Sequence, residues 1–119
     1  MAGEEYIRAS VDNLRKLITM RQTEAAEIRR QMDQDETAKR QRLDAINNQI
    51  RMLNVQLTRE QNSDMKQRTA RQIADLEAEK SHLEHDAANI RQMHEQSLRD
   101  KENQWRNVER KANEIQSMM

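Results

Sequence analysis

The chain has 119 residues, 21 of them basic and 21 acidic, with no cysteine, proline or phenylalanine and one glycine, Gly3. Charged residues make up 35% and aromatic residues 2%, against roughly 25% charged in an average domain, which excludes a large apolar core and leaves little to build strands from. Residues 1–60 carry 11 Lys or Arg and 10 Asp or Glu, and residues 61–119 carry 10 and 11, so neither half has the basic excess that nucleic-acid backbones require.

Residues 1–3 are expected to be a disordered N-terminus. From Glu4 onward no glycine or proline interrupts the chain, and Ala, Leu, Met, Gln, Glu, Lys and Arg dominate it, so the body is predicted to be helical. A first coiled-coil helix is predicted over 4–60. Its apolar residues fall alternately three and four apart, the spacing that keeps one stripe facing a partner helix. The series runs Ile7, Val11, Leu14, Ile18, Arg21, Ala25, Ile28, Met32, Asp35, Lys39. A four-residue step, a local relaxation of the supercoil, then leads to Leu43, Ile46, Ile50, Leu53 and Leu57.

Between Leu57 and Ile73 this seam fails. The two are 16 positions apart, which at about 100° per residue puts them roughly 160° apart around one continuous helix. A reversal of direction removes the conflict, and Asn62-Ser63-Asp64 supplies side chains that cap helices and stabilise turns. Asp64 and Gln67 have capping-box spacing. A turn is therefore predicted over 61–65. A second coiled-coil helix follows over 66–119, with Ile73, Leu76, Lys80, Leu83, Ala87, Ile90 and His94 in its seam, then Leu98, Lys101, Trp105, Val108, Ala112, Ile115 and Met119 after another four-residue step.

The expected fold is all-α: an antiparallel two-helix hairpin turning near Asn62–Asp64, with one continuous coiled-coil rod as the alternative. In the hairpin, facing residues have numbers summing to about 126. That register pairs Leu53 with Ile73, Leu43 with Leu83, Ile28 with Leu98, Ile18 with Val108 and Val11 with Ile115. It also sets Arg21 opposite Trp105, where a guanidinium can stack on indole.

Leu17, Met20, Met52 and Val55 lie off the seam, where a two-helix hairpin cannot bury them. Together with Trp105, a large aromatic at the open end, they are the candidate partner-binding residues. Glu79 and His82 have the Glu-x-x-His spacing of di-metal bundles, but one motif stands where two are needed and it falls outside the seam. No metal or cofactor is expected, and no catalytic residue is assigned. With no cysteine, glycine-rich loop or enclosed cavity, the chemistry of thiol nucleophiles and phosphate cradles is missing.

No apolar run approaches the ~18 residues of a membrane span. The acidic start is not that of a signal peptide, and the absence of cysteine fits a reducing compartment, so the cytoplasm is expected. The expected role is a non-enzymatic structural or assembly subunit that spaces or links components of a cytoskeletal, ciliary or secretion-type machine. It would act through coiled-coil contacts with other subunits or with itself, as an oligomer or complex subunit without nucleic acid or membrane. The alternative is an adaptor or chaperone-like hairpin that transiently binds client proteins.

Overall fold

The computed structural model describes the backbone of residues 2–118 and the side chains of residues 3–118. Two helices account for nearly all of it: α1, Ala2–Arg59, and α2, Ser63–Ser117. The chain is an all-α helical hairpin, and a continuous rod is ruled out by the break at Glu60-Gln61-Asn62.

Both helices begin earlier than expected. Ala2 and Gly3 are already helical, while Met1 lies outside the described residues. A Cβ at Gly3 would meet nothing within 4 Å, so the glycine sits in open space. At the turn, Ser63, Asp64 and Met65 form the first turn of α2 instead of the linker.

The cap explains this shift. Asn62, not Asp64, is the N-cap: its Oδ1 accepts hydrogen bonds from the backbone N–H of Asp64 at 2.9 Å and of Met65 at 3.2 Å. Two donors that would otherwise lack partners at the helix start are thereby satisfied. On the other side of the turn, the Glu60 carboxylate accepts from the N–H groups of Gln61 at 3.1 Å and Asn62 at 3.0 Å. Side-chain acceptors therefore carry the reversal, and among the described residues no backbone φ is positive.

The chain divides into two units, each built from both helices. Unit 1 is Met1–Met32 with Gln92–Met119; unit 2 is Asp33–Arg91 and contains the turn. In each unit the expected seam is the buried one. Every seam residue of α1 from Ile7 to Leu57 is buried or half-buried. So is every described seam residue of α2 except Ile90; Met119 lies outside the described residues.

Ile90 is 44% exposed. The register sets it across from Asp35 and Glu36, both half-buried, with Lys39 Nζ at 3.5 Å from Glu36. Groups that hold water leave an isoleucine no apolar surface to cover. The opposite error occurs at Thr69, which is 3% exposed within the stretch where no seam was expected. Thr69 lies four residues before Ile73 and across from Leu57, so it continues the stripe towards the turn.

Candidate partner-binding surface

Among the described residues four apolar side chains are buried: Val11, Ala25 and Ala112 in unit 1, and Ile46 in unit 2. The register places a lysine across from two of them, Lys101 over Ala25 and Lys80 over Ile46. A lysine can lay its four-carbon stem on apolar surface and keep its ammonium in water, so these charges act as lids on the seam.

In unit 1 the lysine's head is anchored. Lys101 Nζ lies 2.6 Å from Glu24 Oε2, and Arg21 Nη1 donates to the same carboxylate at 2.9 and 3.2 Å. The hydrogen bond from Lys101, with further help from Arg21, holds the Glu24 carboxyl below the usual carboxylate range against a smaller opposing effect of desolvation. Arg21, which the register sets opposite Trp105, thus donates to Glu24 through Nη1. Trp105 itself is half-buried in the seam.

Further contacts cross between the helices of unit 1. Arg29 donates to Glu102 at 3.0 Å, and Arg15 donates to Gln116 at 2.6 Å. In unit 2, Arg42 Nε donates to Glu79 Oε1 at 3.1 Å. These pairs flank the seam where an antiparallel coiled coil sets such contacts, their numbers summing to five above or five below 126. Glu79, the carboxylate of the candidate metal motif, is therefore engaged by an arginine, and His82 and His85 are exposed. Among the described residues no three His, Cys, Asp or Glu side chains are grouped to hold a metal ion.

The candidate binding residues separate by unit. Leu17 and Met20 lie three apart on one side of α1 in unit 1, Leu17 half-buried and Met20 56% exposed. Met52 and Val55 lie on the outer side of α1 in unit 2, with Met52 72% exposed. Beside Met20 is a shallow, open depression lined by Asp12, Arg15, Lys16 and Thr19, all from α1. It encloses nothing.

The sequence reading passed over three exposed apolar residues of unit 1: Tyr6, Met93 and Met118. The spacing of Tyr6, Ser10, Asn13, Leu17 and Met20, alternately four and three, was the signal available for the first. Among the described residues no helix is long and apolar enough to cross a membrane. No protein-family model, curated protein or solved structure matches the chain.

Proposed function

We propose that this chain is a non-enzymatic coiled-coil assembly subunit, whose helices space or link components of a larger protein complex of the cytoskeletal, ciliary or secretion-machine type. One observation carries the reading. The chain leaves 9145 Å² of surface in water, whereas a folded monomer of 14.2 kDa exposes roughly 6,800 Å². The excess, about 2,400 Å², is of the order that stable protein–protein interfaces remove from water.

Two amphipathic helices packed only on each other, with lysines lying on the seam, gain little burial against the entropy of ordering more than a hundred residues. Additional helices from partner subunits supply what is missing, and binding and folding are then linked. We place the protein in the cytoplasm, in keeping with its lack of cysteine.

Thermal unfolding of the isolated chain, followed by circular dichroism, tests this reading. The expected midpoint lies below ~45 °C, the lower edge for ordinary domains. A monomer melting cooperatively at or above that range overturns it. The exposed Met20, Met52 and Met93 favour a second reading, an adaptor that holds clients transiently, because unbranched thioethers adapt to varied surfaces. Long-lived complexes of fixed stoichiometry separate the first reading from the second.

A further inference from the structure

The outer side of α1 in unit 2 carries a second stripe. Ala38, Gln41, Ala45, Asn48, Met52 and Val55 fall alternately three and four apart, on the side of the helix away from Leu43, Ile46, Ile50 and Leu53. All six are exposed and none is charged, in a chain where 35% of residues are. A helix face left to water is normally the charged one. Arg59 ends the stripe at the turn.

The charges lie on its borders. One border runs Thr37, Asp44, Arg51, Thr58; the other runs Arg42, Gln49, Gln56. Asp44 and Arg51 are exposed, and among the described residues neither has an ion-pair partner. Arg42 is taken by Glu79.

This face is complementary to itself. In the hairpin, partners across one border have numbers five below the register sum of 126, as Arg42 and Glu79 do, and across the other five above it, as Arg29 and Glu102 do. An antiparallel pairing of two α1 helices obeys the same rule. Let facing stripe residues sum to 100. Val55 then covers Ala45 of the second copy, Met52 packs on Asn48, and Arg59 meets Gln41. On the borders Asp44 meets Arg51, Thr37 meets Thr58 and Gln49 meets Gln56, each twice by symmetry, while Arg42 is set across from Ser63. A shift of seven either way puts Asp44 on Asp44 or Arg51 on Arg51, so charge selects one register.

We infer that this face of α1 docks a second copy of the chain, antiparallel, about a two-fold axis beside Ile50. A different helix would need a base and an acid seven residues apart in reverse order, which this one already has. Two-fold closure ends the assembly at a dimer. The helical overlap, residues 41–59, is about 28 Å long, so the dimer is expected to be weak. The inference rests on the assembly reading and adds to it the identity of one partner.

Sedimentation equilibrium of the full chain over a hundredfold range of concentration provides the test. A reversible monomer–dimer equilibrium is expected, with no larger species. Asp44→Arg and Arg51→Asp, both at exposed sites, should each weaken dimerisation about tenfold without loss of helicity, because each sets like charges together at two symmetric contacts. Mixing the two variants, or combining both changes in one chain, should restore it. The chain has no cysteine, so Gln34→Cys accepts a single spin label. Labels in the two copies should lie about 50 Å apart, against about 10 Å in a parallel pair.

A dimer indifferent to both substitutions, variants that fail to rescue one another, or a label separation of the parallel kind overturns the inference. So does a chain that stays monomeric throughout. If that monomer melts early, the assembly reading stands without this interface; if it is thermally stable, both fall.

Discussion

Replacing Ile46 by alanine tests the packing of the seam directly, because Ile46 is the largest fully buried side chain described. The substitution removes three carbons from a site with 0% exposure, worth roughly 2.4 kcal/mol at ~0.8 kcal/mol per buried carbon. Alanine's better helix propensity returns about 0.4 kcal/mol. No large cavity term is added, since a two-helix seam can close over a small gap where a globular core cannot. The expected loss is therefore about 2 kcal/mol. Ile90→Ala removes the same atoms from a site 44% exposed, where the transfer loss is roughly 1.3 kcal/mol, and after the propensity gain should cost about 0.9 kcal/mol. Urea unfolding followed by circular dichroism, at one fixed chain concentration, measures both. If the two variants agree within ~0.5 kcal/mol, residue burial in this hairpin does not set stability and the seam assignment fails.

Three other outcomes follow from named contacts. Asn62→Ala should cost about 1 kcal/mol by removing the acceptor for two backbone N–H groups, and Asn62→Ser should recover most of it in the same urea assay. A double-mutant cycle on Arg42 and Glu79, side chains about half exposed, should give a coupling below ~1 kcal/mol that vanishes in 1 M salt; a larger, salt-resistant coupling would contradict their exposure. The folded Glu24 carboxyl titrates below its unfolded value, so its stabilisation is present above ~4.3 and fades as pH falls through the lowered folded pKa. The difference in urea midpoint between the chain and Glu24→Gln should accordingly be steady at pH 6 and shrink below pH 4; a difference that grows on acidification has the wrong sign.

Much of the fold was legible because the helical residues and the 3–4 seam agree with one another. The register could be read by demanding that Leu53 meet Ile73 and Ile28 meet Leu98, and Lys101–Glu24 and Arg29–Glu102 fall where that register sets them. The turn was legible in kind but displaced by two residues. Asp64 and Gln67 offered one cap and Asn62 another, and the choice depends on which side chain reaches the free N–H groups. The seam lysines were legible as positions but not as cover. Apolar counting scores Lys80 and Lys101 as polar, although their stems can cover Ile46 and Ala25.

The candidate binding surface was legible only in part, and the missing part is geometric. A seam read from one helix says which residues point inward; it does not say which flank the outward ones share. That depends on the direction of the partner helix, since a flank of α1 meets opposite flanks of α2 in parallel and antiparallel pairs. Leu17 and Met20 could be picked out as off-seam residues from α1 alone. Their company with Met93 and Met118, more than seventy positions later in the chain, exists only once the hairpin has closed. The same closure makes the ion pairs, since Arg29 reaches Glu102 and Lys101 reaches Glu24 only across the hairpin. Net charge summed along the chain is zero and says nothing of this pairing. Both flanks of the seam in unit 1 carry ion pairs, Arg29 with Glu102 on one and Lys101 with Glu24 on the other, and what tells the two apart is the exposed Met20 and Met93 beside the second.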